Sequence, residues 1–189
     1  MPLKALIVLH PGFEEIEAIT PIDLLTRAGI DVVQASTGED LFVKGRSGIS
    51  IQASTHLRSV VEAPFDAVII PGGPGIAKLR KDPMLCDLLK KQLDQGKLTA
   101  CICAAPLLLK DAHLLTGRKY TAHFSTLEEL PDAGAAVVVQ DGTLLTSQGA
   151  GTATEFSLSL VENLCGPAIA GQIAKSICWP HSFNLDPSL

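Results

Sequence analysis

The sequence predicts an α/β fold in which one parallel sheet carries helices on both faces. Apolar strand patterns alternate with amphipathic helical patterns, which is the order expected of right-handed β-α-β crossovers. The chain has 189 residues, of which 47% are hydrophobic and only 4% aromatic, so we expect an aliphatic core. We therefore predict a single domain over 1–189, with its core over 3–175 and an irregular C-terminal tail over 176–189.

The order of the elements follows from hydrophobic periodicity and from glycine positions. Buried strands are predicted over residues 5–9, 31–35, 67–71, 98–102, 136–139 and 144–146. Helices are predicted over 14–28, 83–95 and 104–115, ending near Gly29, Gly96 and Gly117. Residues 37–55 break this alternation with turn residues and short alternating pieces. That pattern indicates a small antiparallel hairpin beside the main sheet.

Cys103 lies where a strand pattern stops and a helical pattern begins. The N–H groups at the start of a helix favour a thiolate, so we expect a lowered pKa for this cysteine. Its neighbours Cys101 and Ala105 are small, as in a nucleophile elbow, although neither is the usual glycine. The alternative is a buried and unreactive cysteine.

Glu17 falls on the apolar spacing of the first predicted helix. Glu14 and Glu15 lie in its first turn, where carboxylates stabilise free N–H groups and need no further role. The apolar set around Glu17 comprises Ile16, Ala18, Ile19, Leu24 and Leu25. A carboxyl group buried among such side chains has a raised pKa and can donate or share a proton.

The glycine-rich turn over 71–75 follows a strand next to that of Cys103. Ligands of open parallel sheets bind outside the carboxyl ends of the strands, so this turn and Cys103 are expected to meet. The turn lacks the lysine and the serine or threonine of a phosphate-binding loop. We predict instead an oxyanion and substrate-binding site at Gly72, Gly73 and Ala104, with N–H groups of Gly73 and Ala104 as donors.

Four segments in a fixed order resemble the DJ-1/ThiJ/PfpI superfamily, close to its YajL-type bacterial branch. They are PGFEEIE (11–17), VIIPGG (68–73), ACICAAP (100–106) and LTSQGAGT (145–152). The resemblance runs from about residue 3 to residue 174 and implies a flavodoxin-like three-layer sandwich, similar to class I glutamine amidotransferases. It also implies a homodimer in which Glu17 is hydrogen-bonded to a reactive Cys103.

The resemblance indicates which histidine belongs to the site. It also indicates a second site, on the side that faces the dimer partner. His123 matches the family's site histidine, and a surface or core histidine is the alternative. The remaining histidines are His10, His56, His113 and His181. Arg46, with Glu14, matches a dimer-side site, for which a solvated loop arginine is the alternative. No acidic partner of His123 can be assigned, so the sequence does not predict a complete Cys-His-acid triad.

Charge and cysteine usage exclude several classes of protein. The net charge is -5, with scattered lysines and arginines, which disfavours nucleic acid and anionic membranes as partners. The five cysteines are irregularly spaced and indicate a reducing compartment, so we expect a cytoplasmic protein without a membrane span. Cys101 and Cys103 lack a second ligand cluster, so no metal is expected. Cys86, Cys165 and Cys178 are expected to pack as small hydrophobic side chains.

The resemblance implies a cofactor-free enzyme that detoxifies 2-oxoaldehydes, as a glutathione-independent glyoxalase or protein deglycase. Cys103 would form a hemithioacetal, and Glu17, assisted by His123, would shuttle the proton. The alternative is a redox-sensing stress chaperone whose Cys103 is oxidised to a sulfinate. A cysteine peptidase or amidotransferase-like hydrolase is less favoured, because it needs an oriented Cys-His pair. The expected partners are a small aldehyde or a glycated protein, and a second copy of the chain.

Overall fold

A seven-stranded sheet of order β5-β2-β1-β6-β7-β9-β8 forms the centre of the computed structural model, which describes residues 2–80 and 82–180. The strands are β1 (Lys4–Leu9), β2 (Asp31–Ser36), β3 (Phe42–Lys44), β4 (Ser50–Gln52), β5 (Thr55–His56), β6 (Ala67–Ile70), β7 (Leu98–Ile102), β8 (Val138–Asp141) and β9 (Leu144–Ser147). The helices are α1 (Glu15–Arg27), α2 (Leu57–Val60), α3 (Ile76–Leu79), α4 (Pro83–Asp94), α5 (Pro106–Asp111), α6 (Ala153–Cys165) and α7 (Pro167–Ser176).

The sheet is parallel except at one edge, and β3 and β4 form the expected separate antiparallel hairpin. The edge strand β8 pairs antiparallel with β9, which the sequence did not predict. Only residues 142–143 separate these two strands, and so short a connection cannot cross over to a parallel neighbour. The α/β fold with a mostly parallel sheet is therefore confirmed, with an antiparallel edge.

Helices cover both faces of the sheet because its central strands are apolar on both sides. Leu9 and its inward-facing neighbours pack with α1, α6 and α7 in one core cluster that includes Leu25 and Phe156. Val8 faces the opposite cluster, where it joins side chains of α4 and α5 such as Leu89. A strand that is buried on both faces must be hydrophobic at every position, and residues 5–9 are fully buried.

Several predicted boundaries are wrong for local reasons. The helix predicted over 104–115 is only Pro106–Asp111, because proline favours the first helical position and His113, at φ 58°, ends the segment in a left-handed conformation. The strand predicted over 136–139 begins at Val138, and the strand predicted to residue 71 ends at Ile70. No bounds were predicted for α6 and α7.

The cysteines differ from the expected packing. Cys178 is exposed in a left-handed turn after α7, while Cys86 and Cys165 are half-buried, so the expectation of buried packing is wrong for Cys178. The predicted tail over 176–189 lies largely outside the described residues, which end at residue 180. His181 lies outside them as well. None of the described helices is long and apolar enough to cross a membrane.

Two phenylalanines provide a matched test of the core. Phe156 is fully buried and Phe124 is 77% exposed. Phe156→Ala should lower the free energy of unfolding by about 3–5 kcal/mol, because it leaves a cavity between helix and sheet. Phe124→Ala should change it by less than about 0.5 kcal/mol. Urea unfolding followed by circular dichroism measures both, and equal effects of the two substitutions would contradict the described core.

Candidate active site

The candidate site lies at the carboxyl ends of β1, β6, β7 and β9, where the four resembling segments meet. Cys103 directly follows β7 and has a φ of 65°, a left-handed conformation that is uncommon for a residue with a side chain. Its N–H donates to the carbonyl of Ser147 at 2.9 Å, and the N–H of Ala105 donates to that of Ile102 at 3.1 Å. These hydrogen bonds hold the sharp turn that places Cys103 at the strand end.

Two backbone N–H groups reach the half-buried Cys103, those of Gly73 and Ala104. They are the two donors predicted for the oxyanion site. Gly73 has a φ of 105°, and a Cβ atom there would overlap the carbonyl of Gly12 and lie 2.7 Å from the nitrogen of Glu14. The turn can therefore approach the start of α1 only with glycine at this position.

Glu17 lies against Cys103 and is only 1% exposed. Its own N–H donates to Oε2 of Glu14 at 2.9 Å, so Glu14 caps the helix that carries Glu17. Oε2 of Glu17 accepts a hydrogen bond of 2.8 Å from the N–H of Gly72. A Cβ atom on Gly72 would lie 2.5 Å from Cβ of Cys103 and 2.8 Å from Oε2 of Glu17. Glycine at this position allows the thiol and the carboxyl group to meet.

Gly72 was predicted to belong to the oxyanion and substrate-binding site, with no donor role of its own. In the structure its N–H donates to the carboxylate of Glu17. The N–H groups of Gly73 and Ala104 reach the sulfur instead. The acidic group and the thiol thus each have their own backbone donors.

Burial raises the pKa of Glu17 to about 7, against the hydrogen bond from Gly72, which lowers it. The nearby charge of Glu14 raises this pKa further, and the charge of Arg46 lowers it. The raised pKa expected from the apolar surroundings of Glu17 is therefore confirmed. Near neutral pH this carboxyl group can both accept and donate a proton.

The lowered pKa expected for Cys103 is wrong. Burial, followed by the negative charge of Glu17, raises the pKa of this thiol to about 12 and outweighs the N–H groups of Gly73 and Ala104. The helix contributes little, because α5 is short and begins only at Pro106. Cys103 is therefore a thiol at rest, and Glu17 is the group beside it that can take its proton.

His123 borders the same space. Its backbone N–H donates to the carbonyl of Cys103 at 2.9 Å, and its ring Nδ1 lies 2.8 Å from Oγ of Ser125. A Cβ atom built on Gly149 would lie 3.3 Å from Cδ2 of His123 and 3.7 Å from Oε1 of Glu17. The histidine ring and the carboxyl group therefore both border the space beside Gly149. The side chain that pairs with Nδ1 is a serine, not a carboxylate.

The hairpin closes one side of the site. Arg46 is exposed, and its backbone N–H donates to the carbonyl of Phe13 at 2.8 Å. No role beyond the first turn was predicted for Glu15, yet it is buried and its Oε1 accepts from the N–H of Ser47 at 2.7 Å. Gly45 is the signal that could have shown this, because a Cβ atom there would overlap the carboxyl group of Glu15.

No group of three or more histidine, cysteine or acidic side chains is arranged to hold a metal ion within residues 2–80 and 82–180. Cys101 and Cys103 pack on opposite core clusters, so they do not form a ligand pair. The raised pKa of the fully buried Cys101 thiol, caused by burial, also makes it a poor ligand.

Similar proteins share this fold over nearly the whole chain. The chain is 38% identical over 181 residues to "Glutathione-independent glyoxalase DJR-1.2" of Caenorhabditis elegans, covering 93% of this chain and 96% of the relative. The crystal structure of Drosophila melanogaster DJ-1beta superposes with a TM-score of 0.90 at 37% identity, covering 94% of this chain and 98% of that one.

The structure of oxidised Toxoplasma gondii DJ-1 also has a TM-score of 0.90, at 34% identity, covering 95% of this chain and all of that one. These neighbours confirm the flavodoxin-like fold. The proposed YajL-type branch remains a prediction. Residues 3–163 match the DJ-1/PfpI family as a whole, and with relatives of this identity and coverage, the chain belongs to the DJ-1/PfpI family.

Proposed function

We propose that the protein converts 2-oxoaldehydes such as methylglyoxal into 2-hydroxy acids, without glutathione or another cofactor. The observation that carries this proposal is the contact between a thiol, Cys103, and a buried carboxyl group, Glu17, whose pKa is raised to about 7. A relative that is named a glutathione-independent glyoxalase supports it. The reaction is an internal rearrangement, so carbon oxidation and carbon reduction balance within one substrate.

The first step is addition of Cys103 to the aldehyde carbon. The sulfur forms a bond to that carbon, and the electron pair of the C=O double bond moves to oxygen. Glu17 takes the thiol proton and delivers it to the new oxyanion, which gives a hemithioacetal. The N–H groups of Gly73 and Ala104 reach the sulfur, where they stabilise the negative charge that forms as Glu17 takes the thiol proton.

The second step moves a proton between the two carbons. Glu17 removes the C–H proton of the former aldehyde carbon. That electron pair forms a C=C bond, and the ketone oxygen takes up the electron pair of its C=O bond together with the proton of the neighbouring hydroxyl group, which gives an enediolate. Glu17 then returns its proton to the former ketone carbon while the C=O bond of the thioester forms, which yields a thioester of the 2-hydroxy acid. His123 borders the same space beside Gly149 as Glu17, and its role here would be to hydrogen-bond the ketone oxygen during this transfer. Water then hydrolyses the thioester and restores the thiol. Deglycation of a protein would begin with the same attack.

A redox role is the second candidate, because one similar structure is that of an oxidised DJ-1. Two peroxide molecules would convert the thiol of Cys103 into a sulfinic acid and release two molecules of water. The thiolate is the reactive form, so the raised pKa of Cys103, about 12, makes this oxidation slow at neutral pH. The thiol–carboxyl pair therefore favours proton-coupled addition. A peptidase is less favoured, because Nδ1 of His123 pairs with Ser125.

The protein is also proposed to act as a homodimer in the cytoplasm. Hydrogen bonds join the hairpin to the start of α1, and each segment carries an exposed apolar side chain, Ile16 in α1 at 53% and Ile49 in the hairpin at 59%. Phe42, also in the hairpin, is 67% exposed. Exposed apolar side chains on joined segments are typical of a surface that a partner covers.

Turnover tests the proposed reaction directly. The native protein should form lactate from methylglyoxal without glutathione, and Cys103→Ser and Glu17→Gln should each lower kcat/KM at least about 100-fold. Cys165→Ser, at the end of α6, is the matched control and should keep the native rate. Undiminished turnover in Cys103→Ser would contradict the mechanism. A native protein that is inactive but gains two oxygens on Cys103 in peroxide would support the redox role instead.

The coupling of the two groups predicts an effect of Glu17→Gln on thiol reactivity. The charge of Glu17 raises the pKa of Cys103, so its removal should lower that pKa and speed alkylation between about pH 8 and pH 9. Iodoacetamide labelling, followed by peptide mass spectrometry, measures the rate at Cys103. The exposed Glu162→Gln substitution should leave the rate unchanged. A slower reaction in Glu17→Gln would refute the predicted direction of the pKa change.

Light scattering during size-exclusion chromatography tests the dimer. The native protein should elute with twice the mass of one chain. Ile49→Glu should shift it toward the monomer, because a charge would be buried at the contact. Leu127→Glu changes a side chain that is 42% exposed and belongs to neither α1 nor the hairpin, so it should leave the dimer intact. A native monomer, or a dimer insensitive to Ile49→Glu, would rule out this surface.

A further inference from the structure

His10 is a fully buried histidine that the proposed reaction does not use. It lies immediately after β1, and its ring nitrogens face backbone carbonyl groups. Ring Nε2 lies 3.1 Å from the carbonyl oxygen of Pro71, and Nδ1 lies 3.4 Å from that of Pro11. The residue pattern offers no reason to prefer this histidine to His56 or His113. Its place in the structure gives one.

The surroundings of the ring determine which nitrogen carries the proton. A carbonyl oxygen only accepts, so the nitrogen that bonds to it must be the N–H donor. Burial lowers the pKa of His10, so the ring is neutral and has one N–H group. The proton lies on the nitrogen with the shorter contact, so Nε2 of His10 donates to the carbonyl of Pro71.

The acceptor of this bond belongs to the peptide group that serves Glu17. The carbonyl of Pro71 and the N–H of Gly72 are the two ends of a single planar peptide unit. That N–H donates to Oε2 of Glu17 at 2.8 Å. A hydrogen bond at the carbonyl end polarises a peptide and strengthens the bond donated by its N–H end. The chain of hydrogen bonds therefore runs from the imidazole through one peptide to the carboxylate.

The fold reserves the place of the ring. A Cβ atom on Gly75 would overlap Nδ1 of His10 and the carbonyl oxygen of Pro11. The turn after β6 can therefore lie over the imidazole only because position 75 is a glycine. The ring is thus enclosed between the end of β1 and this turn, and it fixes the direction of the Pro71 carbonyl.

We propose that His10 is a positioning residue of the candidate site. Through the Pro71–Gly72 peptide, it holds and polarises the N–H group that donates to Glu17. This role rests on the proposed function of Glu17 as the proton carrier. Its ring does not touch the substrate; it sets how strongly the carboxylate is stabilised before the thiol proton arrives.

The other groups that face Glu17 must be accounted for in any titration. Cys103 lies against it from the end of β7, Glu14 from the helix N-terminus and Arg46 from the hairpin. His123 borders the space beside Gly149 that Glu17 also borders. A substitution at position 10 changes none of these groups. A shift in the pKa of Glu17 can therefore be attributed to the hydrogen bond that His10 donates to the Pro71–Gly72 peptide.

A carboxyl-carbon NMR titration of the full chain, labelled with 13C-glutamate, tests the proposal without turnover. Glu17→Gln identifies the Glu17 signal. His10→Leu and His10→Met remove the donor, and the pKa of Glu17 should rise by roughly half a pH unit in both. His10→Gln keeps an N–H group of similar reach and should retain the native titration. His56→Leu is the matched control, since it removes a ring that bonds to the carbonyl of Gly38.

The outcomes are distinct from those of the turnover experiment. A native titration in His10→Leu and His10→Met would overturn the proposal, and so would an equal rise in His10→Gln. The native protein supplies a measurement that needs no variant to fold, because 15N shifts of the ring should show the Nε2–H tautomer. An Nδ1–H tautomer would overturn the proposal. A protein without glyoxalase activity would refute the proposed function but leave these titrations valid.

Discussion

The site depends on a carboxyl group that is buried against a thiol. Glu17 is 1% exposed, and its charge is stabilised by the N–H of Gly72. A buried carboxylate without a hydrogen-bond partner would be unfavourable in free energy, and burial therefore raises the pKa of Glu17. For the same reason the backbone N–H of Gly72 must lie close to this carboxylate. Glycine at position 72 makes the approach possible, because any Cβ atom there would overlap Cβ of Cys103 and the carboxyl group of Glu17. The close approach of the turn and the proton transfer between Cys103 and Glu17 therefore depend on the same glycine.

The fold and the convergence of the site could be predicted from the sequence because they rest on patterns of many residues. Continuous apolar strands, glycines after helices and the hairpin interruption each have a direct physical cause. Parallel strands bring their carboxyl ends to one edge, so Cys103 and the turn at Gly73 had to meet the start of α1. The spacing of Glu17 on that helix similarly indicated its burial.

The remaining features depend on tertiary surroundings that a single sequence does not contain. The expectation of a thiolate at Cys103 took no account of the burial of the sulfur or of the negative charge of Glu17, both of which raise the pKa of the thiol. Ile16 was expected in the core on periodicity alone, but it is 53% exposed, because only one side of α1 packs on the sheet and α6. The link from His10 through a peptide to Glu17 involves backbone groups, whose directions leave no pattern in the residue types.

The pH dependence of kcat/KM for methylglyoxal tests the central claim most directly, because it reports the ionisation of the proton carrier in the free enzyme. Glu17 must be ionised to accept the thiol proton, and its pKa is raised to about 7. Measured between about pH 5 and pH 9, kcat/KM should therefore rise with a midpoint near 7, and Glu17→Gln should remove this rise. A profile that rises at the ordinary pKa of a glutamate, or one that Glu17→Gln leaves intact, would contradict the account.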